Sequence, residues 1–272
     1  MRLAVMSSTL LRSVRFGWIW IGLLGLNAAQ AGECPSPTSE IATDRPDVTN
    51  SSLVVPAGSF QSENGINTSG QRAGAGFDGS NSRMRFGVAP CLELLVDVPS
   101  YVGRLTGTID AGSTNVTPAV KWQARALPEA WSLSVVAGVG LPTGTSGITG
   151  PGLQPYLQFP WAHELGNGWG ISGMFTSFFR PADPSSRQTT EATFVIEKKI
   201  TDAMSLFVEY IGDFPVKGPG IDLINMGGGY LLSRTQQIDF HVAFGLNRNS
   251  PNYIVGIGYS YRLDHLLGSH AR

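Results

Sequence analysis

Charge is scarce in this 272-residue chain. Acidic and basic residues make up 14% of it, where a soluble domain carries roughly 25%. Long apolar runs are scarcer still, and only the stretch near the N-terminus approaches the length of a membrane helix, which excludes a polytopic helical membrane protein. There are two cysteines and four histidines. No close-spaced Cys/His cluster exists, so neither a metal centre nor a catalytic thiol is expected, and no cofactor. No stretch carries a sustained helical stripe with caps. A disordered chain is excluded by what is present, because aromatics reach 10% and β-branched residues are frequent.

The apolar run has its own explanation. Arg2, Arg12 and Arg15 precede Phe16–Leu26, and Ala29-Gln30-Ala31 follows. That order is the charged, apolar and small-residue sequence of a secretory signal peptide, with cleavage expected after Ala31. Its removal takes away three arginines and no acid, leaving 16 basic residues against 20 acidic and a net charge of −4. Nothing in that balance suggests a nucleic-acid partner. Cys34 and Cys91 then reside in an oxidising compartment, where a disulfide persists. Glu33 directly before Cys34 argues against a lipid anchor.

From Gly58 onward the chain breaks into short segments of alternating apolar and polar or small residues, separated by Gly, Pro, Asn, Asp and Ser. A period of two is the strand signal. The expected strands are 58–67, 80–88, 91–101, 115–124, 131–141, 153–162, 169–179, 189–199, 203–213, 221–231, 236–246 and 252–263. Long connections alternate with short ones along this series. An even number of roughly ten-residue strands with long loops at one end and tight turns at the other is the pattern of an outer-membrane barrel. The expected fold is therefore all-β, an antiparallel up-and-down transmembrane β-barrel of twelve strands over residues 58–263. Residues 32–57 form an N-terminal periplasmic or plug segment, and 264–272 a tail.

Face composition agrees. Trp131, Leu133, Val135, Ala137, Val139 and Leu141 share one face, while Ser132, Ser134, Val136, Gly138 and Gly140 share the other. Tyr253, Val255, Ile257, Tyr259 and Tyr261 likewise oppose Ile254, Gly256, Gly258, Ser260 and Arg262. The second face is glycine and hydroxyl rather than charge, as suits a lumen more than the outside of a soluble sandwich. Trp122, Trp131, Trp161, Trp169 and Tyr230 cluster near the short turns, where a membrane-boundary girdle belongs.

With a two-residue turn at Ala89 and Pro90, Arg85 is expected opposite Glu93, Gly87 opposite Cys91, and Arg83 diagonal to Glu93 and Asp97. Glu63, Lys121, Arg125, Glu191, Glu197, Lys199, Glu209, Asp239, His241 and Arg262 are expected to face inward as well. Mixed signs imply weak ion selectivity at most. The set reads equally as a channel wall or as a structural network. Of His163, His241, His265 and His270, none is followed by serine two positions later. A triad of His241, Asp239 and Ser260 is conceivable, but a lone lumenal histidine is favoured because a triad demands far more geometry. Thr43-Asp44-Arg45-Pro46-Asp47 suits a fixed turn with an Arg–carboxylate pair, in a segment that either folds into the barrel mouth or trails as a solvated tail.

Several of these stretches resemble the phenol meta-pathway degradation family. They are Ala42–Thr49, Val55–Gly65, Arg85–Val88 with Leu92–Leu94, Val120-Lys121-Trp122, Leu141–Gly144 and Gly256–Arg262. The resemblance implies an outer-membrane barrel with a transporter-like role, passing small molecules, aromatic or hydrophobic ones among them, rather than breaking them down. Such barrels usually finish on a terminal aromatic read by the assembly machinery. Here Asp264–Arg272 follows the last strand, and Tyr259 and Tyr261 are the expected substitutes. Taken together, the expectations are a passive pore or facilitator narrowed by its inner charges, with outer-membrane lipid, a small solute and the barrel assembly machinery as partners. A Cys34–Cys91 bridge at the periplasmic end goes with this topology. The rivals are a closed structural or binding barrel, a lipid- or ester-hydrolysing barrel and, last, an exported β-sandwich.

Overall fold

A computed structural model describes residues 39–108, 110–124, 127, 128, 130–182 and 187–266. The expected signal peptide, Cys34, Arg125 and the end of the expected tail lie outside the described residues. Fifteen strand segments run in order: β1 (Phe60–Gln71), β2 (Gly74–Gly79), β3 (Arg83–Ala89), β4 (Leu92–Asp97), β5 (Tyr101–Arg104), β6 (Gly112–Ser113), β7 (Thr117–Gln123), β8 (Trp131–Gly140), β9 (Gln154–Gly166), β10 (Trp169–Phe179), β11 (Gln188–Lys199), β12 (Met204–Pro215), β13 (Ile221–Ser233), β14 (Gln236–Gly245) and β15 (Tyr253–Leu263). Among the described residues a single helical turn, α1 (Ser146–Thr149), sits between β8 and β9.

All pairings are antiparallel, and β15 closes on β1 from Phe60↔Leu263 to Gly70↔Tyr253. The fifteen segments make twelve barrel strands, because β2 with β3, β4 with β5, and β6 with β7 are each one strand interrupted. The interruptions at 80–82, 98–100 and 114–116 lie side by side. Hydrogen bonds from Asn81 N to Gly65 O (2.8 Å), Val98 N to Ser82 O (2.9 Å) and Thr114 N to Ser100 O (2.8 Å) carry the wall across them. Serine, asparagine and Pro99 occupy this belt, residues that bond locally or lack the N–H a regular ladder needs.

One expected loop is a strand. Residues 68–79 read as a long connection, yet β1 continues to Gln71, β2 starts at Gly74, and the turn is Arg72 and Ala73. Gly70, Gly74, Gly76 and Gly79 erase the alternation there, while the backbone ladder needs no side chain to form. Elsewhere long connections (141–153, 180–187, 246–252) gather at one end, and tight turns (90–91, 167–168, 234–235) at the other.

The outer face carries a broad apolar band. Phe159, Phe175, Phe194, Ile196, Val208, Phe240, Val255 and Ile257 are all exposed, a contiguous band that on a soluble protein would drive aggregation but suits acyl chains. On β8 the alternation holds as read: Ser134 and Val136 are buried, whereas Trp131 is exposed. The rings of Trp131 and His163 stack at 4.2 Å, Trp161 lies 6.1 Å from Trp131, and Lys198 Nζ stands 4.9 Å over Trp169. Trp122, Trp169 and Tyr230 are half-exposed near the same short-turn end. Among the described residues no helix is long and apolar enough to cross a membrane. Crossing by strands is what the closed ladder permits, since the strands satisfy one another's backbone groups around the whole barrel.

Candidate functional site: an occluded lumen

The segment before β1 lies inside the barrel. It comes in at the short-turn end, where Ile41 N donates to Arg234 O (2.7 Å) and Arg262 Nη1 to Glu40 O (2.9 Å). It reaches its apex over 44–50 and descends along β3, where Gly58 N donates to Gly87 O (2.8 Å). Side chains from ten strands hold it. Residues 41–55 are thereby packed against the inner wall.

Asp44 is the centre of the hold. Its carboxylate accepts from Arg83 Nη1 (3.0 Å), Lys121 Nζ (3.1 Å) and Ser51 N (2.9 Å), and Arg85 Nη1 lies 3.3 Å away. Burial alone would raise the Asp44 carboxyl, but the charges of Arg85, Lys121 and Arg83 outweigh it and hold the group well below the usual carboxylate range. Around this core, Arg85 bonds Glu93 through Nε and Nη2 (both 3.1 Å), Glu63 through Nη1 (3.0 Å), and the carbonyls of Ala42 and Leu53 (both 2.9 Å). One guanidinium therefore ties both limbs of the segment to the wall. Arg83 grips Asp97 bidentately at 2.6 and 3.1 Å. Lys121 also pairs with Glu93 at 3.2 Å and donates to Ser51 O. Arg85, Lys121, Glu63 and Glu93 are fully buried, a setting where charges persist only when paired and hydrogen-bonded.

The expected register between β3 and β4 needs correction. Arg83 pairs with Asp97, Arg85 with Leu95 and Gly87 with Glu93, with a β-bulge between Gly87 and Ala89. The strand partner of Arg85 is thus not Glu93, although their side chains meet diagonally. A shift of two residues preserves the face, so the inward set is unchanged while its pairs are re-dealt. Cys91 is buried beside this turn.

The remaining expected residues divide into three groups. Glu209 cradles the apex, accepting from Val48 N (3.0 Å), Thr49 N (2.8 Å), Thr49 Oγ1 (2.8 Å) and Asn225 (2.9 Å). Asp239 receives Arg45 Nη2 at 3.2 Å, and His241 sits between the Oδ1 atoms of Asn225 (3.1 Å) and Asn67 (3.2 Å). Glu191 stands beside Asp213 across the ladder. Near the short-turn end Glu197 and Lys199 are exposed, Lys199 lying 4.0 Å from Glu40, and Arg262 binds Asp264 at 2.7 Å. His241, Asp239 and Ser260 form no relay: the imidazole bonds asparagines, Asp239 holds Arg45, and Ser260 Oγ has no partner.

Uncharged residues make a second layer, and of these the sequence pointed only to Ser132, by its face, and to Thr43, by its motif. Asn50 donates to Gln158 (2.8 Å), Val54 N to Gln123 (3.0 Å), Gln61 to Ala42 O (2.9 Å) and Gln237 to Thr43 (2.9 Å), while Ser52 meets Ser132 at 2.6 Å. Inward parity on each strand was the available signal, and it applies to amides as much as to charges. Gly87 matters for a different reason. A Cβ there would overlap the carbonyl oxygens of Val55 and Pro56 on the descending limb. Gly87→Val is expected to unseat that limb at a cost of about 1–3 kcal/mol. Limited proteolysis should then cut within 39–57 while the barrel resists, and an uncut segment would show that the close approach is dispensable.

Above the apex, toward the long-loop end, lies a cavity of about 600 Å³. Asp47, Asn50 and Arg83 form its floor, and Tyr156, Met174, Phe178 and Ile148 an apolar side wall. Tyr156 and Phe178 pack with ring centroids 6.1 Å apart.

A closed twelve-stranded barrel with an apolar outer belt and a polar lumen filled by its own N-terminal segment is the architecture of an outer-membrane β-barrel. Within that class, the chain belongs to the family described as "Putative MetA-pathway of phenol degradation", whose model matches residues 43–263. The chain is similar in fold to the COG4313 outer membrane channel from Pseudomonas putida F1 (TM-score 0.60, 12% identity, 80% of this chain and 100% of that one). It is also similar to the NanC porin (0.56, 7%, 75% and 100%) and to the KdgM porin in complex with disordered oligogalacturonate (0.53, 8%, 75% and 98%). No curated protein matches the chain. Those three solved structures are of one channel and two porins.

Proposed function

We propose that this protein is an outer-membrane channel for passive or facilitated passage of small molecules, held nearly closed by its own N-terminal segment. The observation that carries the reading is the cavity of about 600 Å³ at the long-loop end, floored by a segment that polar side chains, not sheet pairing, hold in place. Side-chain hydrogen bonds and ion pairs can be exchanged one at a time, whereas a strand ladder opens cooperatively. The apolar wall of Tyr156, Met174 and Phe178 facing Arg83, Asp97 and Asn50 suits a small aromatic or hydrophobic solute with one polar group. This reading assigns no catalytic step: among the described residues His241 bonds asparagines and Asp239 holds Arg45. The long loops face outward and the short turns the periplasm, after cleavage of residues 1–31. Cys34 and Cys91 pair at that periplasmic end, tethering the start of the segment, and the assembly machinery reads Tyr259 and Tyr261.

Single-channel recording of residues 32–272 refolded into planar bilayers tests the reading. Discrete steps of low conductance are expected, with solute competition as the next measurement. Silence from a correctly inserted barrel would favour a closed binding barrel, to which the filled lumen lends support.

A further inference from the structure

Asp44 and Arg45 are neighbours that reach opposite walls, and their holds differ in kind. Both oxygens of Asp44 are satisfied, and each nitrogen of Arg83 and Arg85 in that cluster has a partner. Arg45 is held by one nitrogen. Its Nη2 donates to Asp239 Oδ1 at 3.2 Å and to Ile257 O at 3.4 Å. Its Nε and the Oδ2 of Asp239 are buried without hydrogen-bond partners. Two half-satisfied charged groups in contact form a poor resting arrangement, since each unmade bond leaves a desolvated atom uncompensated.

The place where Arg45 sits is built from absence of side chain. Gly65 on β1 and Gly258 on β15 are direct register partners, and a Cβ on either would overlap the Arg45 guanidinium. Removing the guanidinium from this notch leaves a gap along the β1–β15 seam, bordered by the two glycines and Asp239. No comparable glycine notch receives Asp44.

We propose that Arg45 is the gating and selectivity residue of the channel, which opens when its guanidinium leaves Asp239 and the Gly65–Gly258 notch while Asp44 stays anchored. This rests on the channel reading above. The open corridor then presents the Asp239 carboxylate with no cation beside it, so it passes neutral and cationic solutes and turns anions away. Asp44 acts as the hinge, and the segment never leaves the barrel.

The test is conductance and reversal potential in a KCl gradient for the full mature chain and its Arg45→Ala, Asp239→Asn and Asp44→Asn variants. Arg45→Ala is expected to raise the open-state conductance about two- to threefold and shift the reversal potential toward cations, as expected of a bare carboxylate in a narrow pore. Asp239→Asn is expected to open more often without the cation shift. If Arg45→Ala does not insert, the Arg45→Ala/Asp239→Asn double variant, which leaves no bare carboxylate, is expected to insert and conduct more than the wild type. Unchanged conductance and selectivity in the variants that insert, with Asp44→Asn opening the channel instead, would overturn the proposal and leave the channel reading intact. Absence of current from the wild type and every variant would overturn both.

Discussion

Arg85→Ala is expected to destabilise the folded barrel by about 3–5 kcal/mol, the range for stripping one partner from a buried ion cluster. The reason lies in how many groups share this guanidinium. Glu63 and Glu93 are fully buried and take three of its hydrogen bonds. Without it, Glu63 keeps only Gln61 and the Asp44 amide, and Glu93 keeps Lys121 and the Val55 amide. The carbonyls of Ala42 and Leu53 lose their shared donor in the same step, so the two limbs of the segment come apart from the wall together. A lowered urea midpoint, read from heat-modifiable gel mobility, should accompany noisier and larger currents. A midpoint and current like those of the wild type would mean the cluster reorganises around Lys121, against this account.

Deleting residues 39–55 is expected to give the largest conductance of any variant, several-fold above the full chain, because the lumen of a twelve-stranded barrel is otherwise wide enough for a polar pore. The barrel should survive the loss. With Asp44 gone, the wall charges still pair among themselves, Arg83 with Asp97, Arg85 with Glu63 and Glu93, and Lys121 with Glu93. The segment thus inserts a fourth carboxylate into a wall already balanced. Heat-modifiable mobility checks folding and bilayer recording the current; a folded deletion variant that conducts no better would show that the segment does not limit the pore.

The barrel itself was legible because strand parity is local. Consecutive residues such as Ser132 to Gly140 declare which face is lipid and which is lumen without reference to anything distant. The inward charges were legible by the same rule: Arg83, Arg85, Glu93, Asp97, Glu63 and Lys121 do converge. Register was not legible, since a bulge at Gly87 adds a residue to one strand and no side-chain pattern announces it. Glycine misled the reading at 68–79, where a ladder persists without the alternation that marks it.

What the sequence by itself determined was therefore the closed all-β architecture, its apolar exterior and the parity of its polar interior. The tertiary structure alone decided that residues 39–57 fill the lumen, which groups there meet, and that Asp44 is held fully while Arg45 is held by one nitrogen. The physical reason is distance along the chain. Lipid-facing alternation is written in adjacent residues, whereas Arg45 and Asp239 stand 194 positions apart and are brought together only when the sheet closes around the segment that carries one of them.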